Sequence, residues 1–195
     1  MDELLLTGTL RERAAQIIGF ADKHNKSRTD IEYVAEIYRA AGVPFTQAAR
    51  RFIERYSGLL LDCELYREVY SETNYAHNKR YKGYEKIDFE CDIIGYSRTS
   101  DKQRAFEDNL CTLRELWDDE LADEAAILSK EQGAVPIGTI GDYYPAMVYI
   151  RDDGKLLAFH DFEDMKIHIF DSLEEFLAYE FTIDRRPPLL IIEKI

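Results

Sequence analysis

The 195-residue chain lacks the features that mark several classes of protein. It has no apolar run near the roughly 20 residues that a membrane-spanning helix requires, and no leader-like start. It has no tract rich in glutamine, serine or proline, and 46% of its residues are hydrophobic, which excludes global disorder. Its three cysteines, Cys63, Cys91 and Cys111, form no CxxC pair and predict buried free thiols rather than a disulfide framework. These absences favour a soluble cytoplasmic protein.

Basic residues are also few in comparison with acidic residues. The chain has 25 lysines and arginines against 38 aspartates and glutamates, a net charge of −13. Residues 101–195 hold 10 of the basic and 22 of the acidic side chains, whereas residues 1–100 are nearly neutral. Such a negative field repels nucleic acids and anionic membranes and speeds association with a basic protein. We therefore expect neither a nucleic acid nor a membrane as partner, although an acidic surface that only keeps the protein soluble is the alternative.

Helix signals open the chain and return twice. Capping boxes at Thr9-Leu10-Arg11-Glu12, Thr29-Asp30-Ile31-Glu32 and Ser172-Leu173-Glu174-Glu175 predict three helix starts, and Thr46 is a fourth candidate cap. The apolar spacing predicts a helix over 31–41 and another that ends at Gly58. We interpret 1–30 as an N-terminal helical extension and 31–195 as the main domain. Helical spacing over 101–132 fits one long helix or two.

Strand signals fill the rest of the chain. Apolar and acidic residues alternate from Ile87 to Ile93, the turn at Asp153-Gly154 predicts a hairpin, and Leu189 to Ile192 is predicted as a closing edge strand. The tyrosine-rich stretch 65–86 is too polar for an ordinary core element, so we interpret it as an exposed hairpin or loop insertion. The predicted fold class is α+β, with a mainly antiparallel, mixed sheet flanked by helices.

Catalytic signals are weak. The chain has no GxSxG nucleophile elbow and no phosphate-binding loop followed by GKS or GKT. His160 and His168 fall at the ends of two predicted strands, with an acidic turn between them, and could serve a metal site or a hydrolase; a solvated turn explains the same pattern. We predict that the protein is not an enzyme and has no cofactor and no metal site.

Recognition signals are stronger. Acidic residues cluster on the predicted helix over 101–132, where like-charge pairs four residues apart cost free energy that an opposing basic surface would relieve. A second acidic group lies in the turn after His160, and tyrosines of the insertion could anchor a partner. The candidate partner-binding residues are Asp118, Asp119, Glu120, Asp123, Glu124, Asp161, Glu163, Asp164, Tyr81 and Tyr84.

Three short motifs follow one another over about 100 residues: Arg55-Tyr56-Ser57-Gly58-Leu59, Pro136-Ile137-Gly138 and Asp153-Gly154. In this order the chain resembles the SUKH superfamily over about residues 31–181, and most closely its third family, which comprises bacterial immunity proteins. The resemblance implies a non-enzymatic α+β domain that binds and neutralises a toxin, often a nuclease. It also implies architectural roles for Gly58, Pro136, Gly138 and Gly154. Ser57 stands where the family commonly has glycine, and the tyrosine-rich stretch is longer than the family leads us to expect.

Charge and resemblance together predict an immunity-type protein that binds a basic toxin through an acidic surface. A SUKH-like intracellular scaffold or regulatory module without a toxin partner is the alternative, and a hydrolase that uses His160 is a third hypothesis. The sequence leaves open the identity of the toxin, the surface that binds it and the oligomeric state. It also leaves open the roles of the N-terminal helix and of the tyrosine-rich insertion.

Overall fold

The structure is a computed structural model, and it describes residues 2–24, 29–68, 83–96, 99–118, 124–142, 144–160, 166–183 and 187–194. This part of the chain holds six helices and nine strands. In chain order they are β1 (Glu3–Leu5), α1 (Leu10–His24), α2 (Ile31–Ala41), α3 (Gln47–Tyr56), β2 (Cys63–Glu68), β3 (Tyr84–Lys86), β4 (Phe89–Ile93), α4 (Lys102–Glu115), α5 (Glu124–Glu131), β5 (Ala134–Asp142), β6 (Ala146–Arg151), β7 (Leu156–Phe159), β8 (His168–Phe170), α6 (Leu173–Ile183) and β9 (Leu190–Glu193). Helices and sheets of this kind confirm the α+β prediction. No helix among these residues is long and apolar enough to cross a membrane.

The chain folds into two compact units. The first unit consists of Met1–Lys26, Leu59–Phe89 and Leu173–Ile195, and the second consists of Ser27–Gly58 and Glu90–Ser172. Each has its own sheet, with strand order β1-β9-β2-β3 in one and β4-β5-β6-β7-β8 in the other. The domain boundary predicted at residue 30 stays a prediction. In the structure, α1 contacts α6 and β9 and belongs to the same unit as both of them.

In the first unit, α1 and α6 pack against each other, and α1 also contacts β9. The predicted capping box starts α1: the Thr9 amide donates to Glu12 Oε2 at 2.7 Å, and the Glu12 amide donates to Thr9 Oγ1 at 3.3 Å. The Thr9 amide and the Thr9 hydroxyl both donate to Glu12 Oε2, and these two hydrogen bonds lower the pKa of the Glu12 carboxyl. The apolar spacing of this segment also predicts an inner face of Leu10, Ala14, Ile17, Ile18 and Ala21; the last four are buried, whereas Leu10 is half-buried.

Three expectations for this unit need correction. The segment Leu189 to Ile192 is predicted as an edge strand, but β9 lies between β1 and β2 and pairs antiparallel with both. Strand β1 is not predicted, because three exposed residues give no alternation to detect. The stretch 65–86 is not exposed throughout, since Leu65 and Tyr66 are buried in β2, which pairs antiparallel with β3. Residues 69–82 lie outside the described part of the chain.

In the second unit, the apolar spacing places the helices well. Helix α2 has the predicted bounds, and α3 is capped by Thr46 and buries the predicted stripe, Ala49, Phe52, Ile53 and Tyr56. The cap of α2 is Asp30 rather than Thr29, because the Asp30 carboxylate accepts from the amides of Glu32 and Tyr33. The Thr29 hydroxyl instead hydrogen-bonds the Ser57 hydroxyl at the end of α3. Of the two alternatives for 101–132, the structure has two helices, α4 and α5.

Tyr38 connects α2 to the sheet of the second unit. Its side chain is fully buried, and its hydroxyl donates to the Pro136 carbonyl oxygen of β5 at 2.5 Å. Burial raises the pKa of the Tyr38 hydroxyl, so it stays protonated and donates throughout the physiological range. A buried hydroxyl and a buried carbonyl thus satisfy each other where water does not reach.

We predict that Tyr38→Phe lowers the free energy of unfolding by about 1–3 kcal/mol, because it leaves the Pro136 carbonyl without this donor. Tyr33→Phe, on the same helix, is the matched control, since the Tyr33 hydroxyl has no hydrogen-bond partner among the described residues. Its loss should change the free energy by less than about 0.5 kcal/mol. Urea denaturation of both variants measures the difference, and equal effects would contradict the assigned role of Tyr38.

Candidate functional site

An open groove lies in the second unit, where the end of β4 faces α4. Its volume is about 280 Å³, which suits one long side chain better than a nucleotide-sized ligand. The groove is lined by Asp92, Ile93, Ile94, Tyr96, Asp108, Asn109 and Thr112. We call it the β4–α4 groove.

Asn109 fixes the shape of the groove. Its side chain is buried, with 6% exposure. Its Oδ1 accepts from the Gly95 amide at 2.7 Å, and its Nδ2 donates to the carbonyl oxygens of Tyr96 at 2.9 Å and Ala105 at 2.8 Å. A side-chain amide supplies both the acceptor and the donors that these backbone groups need, which neither aspartate nor leucine does. Asn109 therefore ties the turn after β4 to helix α4.

The turn itself depends on glycine. Gly95 has a φ of +98°, and a Cβ built on it would lie 2.4 Å from Val34 Cγ2. Any other residue would be strained in this conformation and would collide with α2. The chain can therefore turn from β4 towards α4 only with glycine at this position.

Gly138 positions the opposite side of the groove. It belongs to the Pro136-Ile137-Gly138 motif, where the register between β5 and β6 shifts. Its φ is +141°, and a Cβ on it would lie 2.2 Å from the Asp92 carbonyl oxygen. Without a side chain, β5 can approach β4 closely, and the Ile94 amide donates to the Ile137 carbonyl oxygen at 3.0 Å. A residue that the resemblance marks as architectural thus sets the place of Asp92.

The groove is electronegative. Asp92 and Asp108 contribute carboxylates, while Tyr96, Asn109 and Thr112 add neutral polar groups. Burial raises the pKa of the neighbouring Tyr33 hydroxyl, and the charge of Asp108 raises it further. Arg104 Nε lies 4.0 Å from Asp108 Oδ2, but both side chains are mostly exposed, so this pair offsets little of the negative charge. Acidic residues in the lining of a groove suit a lysine or arginine side chain.

The negative charge of the chain belongs mainly to the second unit. Its residue ranges contain 13 basic and 23 acidic residues, and 13 − 23 gives −10. The ranges of the first unit contain 12 basic and 15 acidic residues, and 12 − 15 gives −3. The asymmetry between the halves of the sequence is therefore an asymmetry between two folded units.

Two of the predicted acidic residues lie near the ends of helices in the second unit. Asp118 is exposed just beyond the end of α4, and its amide donates to the Arg114 carbonyl oxygen at 2.8 Å. Glu124 is exposed as the first residue of α5. Because α4 ends at Glu115 and α5 begins at Glu124, Asp118 does not lie on the single long helix that is one of the two alternatives. The predicted like-charge pairs, Asp119 with Asp123 and Glu120 with Glu124, stay predictions. Asp119, Glu120, Asp123, Asp161, Glu163, Asp164 and Tyr81 lie outside the described residues.

Tyr84 belongs to the first unit. It begins β3, where it pairs with Glu68, and it is half-buried. Its ring packs against a small buried cluster of Tyr66, Leu190 and Ile192. Much of its surface is therefore occupied by packing within its own sheet, and only the remainder is open to a partner.

The two histidines come together as neighbours on adjacent strands. Ala158 pairs with His168, so His160, two residues further, projects from the same sheet face. Their ring centroids are 6.3 Å apart with planes at 78°; His160 is buried and His168 stacks on Phe170. Among the residues that the structure describes, no three histidine, cysteine or acidic side chains are grouped to hold a metal ion.

The cysteines have little nucleophilic character. Cys63 and Cys91 are buried as predicted, and burial raises the pKa of Cys63 to about 11 and raises that of Cys91 as well. The prediction is wrong for Cys111, which is exposed on α4. Its apolar neighbours suggest burial, but it lies on the outer side of the helix. A hydrogen bond to the Glu115 carboxylate raises the pKa of the Cys111 thiol, so all three are protonated at neutral pH.

Sequence patterns alone do not reveal the groove. The alternation of β4 assigns Asp92 only to the polar side of a strand, and helical spacing assigns Asp108 to a solvated face. The sequence gives one sign of the groove, which is Asn109. It lies among the apolar positions Phe106, Leu110 and Leu113 of a predicted helix, so its amide points towards the core and needs hydrogen-bond partners there. The turn of β4 that it holds is a tertiary contact across 13–14 residues, which local spacing does not encode.

Comparison with known proteins gives no assignment: no family model, no curated protein and no solved structure matches the chain. The resemblance to the SUKH superfamily therefore stays a prediction that rests on the three short motifs. All three glycines of these motifs have positive φ: Gly58 at +80°, Gly138 at +141° and Gly154 at +85°.

We predict that Gly138→Ala destabilises the protein by about 2–4 kcal/mol, because its Cβ would overlap the Asp92 carbonyl oxygen and force β4 and β5 apart. Gly154→Ala is the matched control. Its φ is also positive, but a Cβ at this position would meet no atom within 4 Å, so the substitution should cost only about 1 kcal/mol of backbone strain. Thermal unfolding of the two variants tests this, and equal losses would show that the close approach at Gly138 is unimportant.

Proposed function

We propose that this protein is an immunity-type binding protein that neutralises a bacterial toxin by direct contact through the acidic surface of its second unit. The observation that carries the proposal is the concentration of charge: −10 of the net −13 lies in one folded unit, which also contains the carboxylate-lined β4–α4 groove. The resemblance to SUKH immunity proteins supports the same function.

A nuclease toxin would carry the complementary surface. Such an enzyme must hold a polyanion, so its active cleft is basic. An acidic protein can occupy this cleft in place of the phosphates, and its field draws the two molecules together before they touch. The β4–α4 groove has the size and the polarity to receive one lysine or arginine of the toxin, while Asp118 and Glu124 are exposed for further contacts.

The energetics also favour a partner. An excess of ten negative charges in one unit produces self-repulsion, which lowers the stability of the folded state and increases solubility. A basic partner relieves this repulsion, so the charge distribution contributes more to the complex than to the free protein. The protonated thiols give no support to a nucleophilic mechanism, which makes binding the better explanation of this surface.

The first test identifies the partner. The protein is used as bait in a lysate of its native bacterium, and the captured protein is purified and assayed for hydrolysis of DNA and RNA. We expect a basic protein whose nuclease activity disappears on addition of one equivalent of the bait. A captured protein without toxic activity, or one of acidic character, would contradict the proposal and favour the SUKH-like scaffold or regulatory module.

We predict that Asp108→Lys combined with Asp118→Lys slows association with the captured toxin about fivefold or more at low salt, because it removes four units of attractive charge difference from the second unit. Asp22→Lys combined with Asp88→Lys makes the same charge change in the first unit, away from β1, and should alter the rate less than twofold. Stopped-flow kinetics measure both rates. Equal rates for the two double variants would place the contact elsewhere.

A further inference from the structure

Strand β1 forms one edge of its sheet, and on that side no described strand pairs with its backbone. The Glu193 amide donates to the Asp2 carbonyl oxygen at 3.0 Å, and the Leu6 amide donates to the Leu189 carbonyl oxygen at 2.8 Å. In an antiparallel ladder alternate residues face the neighbouring strand, so the backbone groups of Asp2, Leu4 and Leu6 point to β9. Those of Glu3 and Leu5 point away from it. No other strand among the described residues pairs with this edge.

Two of the three side chains of β1, those of Leu4 and Leu5, are apolar and exposed. Leu4 and Leu5 are 37% and 60% exposed. Strand β1 has no lysine, proline or bulge of the kind that blocks pairing at many natural edges, but it is only three residues long and carries the charge of Glu3, so pairing along it is weak. A groove of about 570 Å³ between β1 and α1 leaves the Leu4 side of the strand accessible. The edge therefore offers both free backbone groups and apolar contact area.

We propose that β1 pairs with β1 of a second copy of this chain, antiparallel about a two-fold axis at Leu4. Glu3 then faces Leu5 of the other copy, and Leu5 faces its Glu3. Each of these two hydrogen-bonded pairs exchanges two backbone bonds, which uses all the outward-facing groups of the strand. The two four-stranded sheets become one continuous sheet in the order β3-β2-β9-β1-β1-β9-β2-β3.

The sequence of the edge selects this register. An axis at Glu3 would place two glutamates directly opposite each other, which is destabilising. An axis at Leu5 would need the backbone groups of Thr7, but these are already bonded to the Gln16 side chain, at 3.2 Å for the amide and 3.0 Å for the carbonyl oxygen. An axis at Leu4 opposes no like charges and brings the two Leu4 side chains into contact. In this register the same three residues form both sides of the contact, as a two-fold interface requires. We therefore favour a second copy of the chain over an unrelated strand as the partner.

The charge of the first unit allows this contact. Its ranges sum to −3, so the edge lies in the less repulsive part of the chain. Repulsion between two chains of −13 remains, and added salt screens it. The dimer should therefore strengthen with salt, whereas binding of a basic toxin should weaken. Pairing through β1 is independent of the proposed function, and the opposite salt dependence separates the two.

Cross-linking tests the register. In a Cys111→Ser background, which removes the exposed thiol, Leu4→Cys places two thiols across the axis with Cα atoms about 4.5 Å apart, within reach of a disulfide. We expect covalent dimers on mild oxidation at about 1 mM chain in 0.5 M NaCl, a concentration suited to a three-residue edge. Leu5→Cys is the matched control, because its two thiols would be on Cα atoms about 8–9 Å apart and should not bridge. The register is overturned if Leu4→Cys and Leu5→Cys cross-link equally, or if neither variant forms a covalent dimer.

Sedimentation equilibrium tests the dimer itself. Leu5→Pro removes the outward-facing amide of Leu5 and leaves the ladder to β9 intact, so it should raise the dimer Kd about tenfold or more through two lost hydrogen bonds. Leu5→Ala keeps the amide and should raise the Kd less than threefold; circular dichroism confirms that both variants are folded. A wild-type chain that stays monomeric at 1 mM in 0.5 M NaCl overturns the proposal and leaves the edge to a strand of another protein.

Discussion

The second unit depends on the backbone of Pro136-Ile137-Gly138, where three elements meet. The Pro136 carbonyl accepts from Tyr38 of α2, the Ile137 carbonyl accepts from the Ile94 amide, and Gly138 lets β5 approach the Asp92 backbone. All three residues of the motif are buried. A larger side chain at Gly138 would therefore collide with its neighbours, and a carbonyl that lost its donor would stay without a hydrogen bond. The position of the β4–α4 groove follows from them, because Asp92 belongs to β4 and the turn at Gly95 comes directly after this strand.

The sequence predicts elements better than it predicts their neighbours. Helices α2 and α3 are placed almost residue by residue, because apolar spacing and caps at Asp30 or Thr46 are local signals. The central position of β9 is missed, since only its pairing partners, residues 3–5 and 63–66, distinguish a central strand from an edge. The groove is missed for the same reason: Asp92 and Asp108 are brought together by a turn held through Asn109, and that hydrogen-bonding pattern is tertiary.

The chain crosses between its two units, and this explains how charge patterning in the sequence relates to the fold. Acidic residues after position 100 belong mostly to the second unit, but α6 and β9 return to the first. The first unit therefore contains both ends of the described chain and stays nearly neutral, while the second contains the motifs of the family resemblance from Pro136 to Gly154. Selection for a strongly acidic surface can act on one unit with little effect on the packing of the other.

The separation of charge between the two units also affects how two copies of the chain can approach each other. A uniform charge of −13 would oppose any symmetric dimer, because like surfaces would face each other at short range. Ten of those charges lie in the second unit, whereas the edge proposed for pairing belongs to the first unit, whose charge is −3. Binding of a basic protein is proposed for the second unit, and pairing through β1 is proposed for the first. The same distribution of charge thus permits both contacts, provided that each is confined to its own unit.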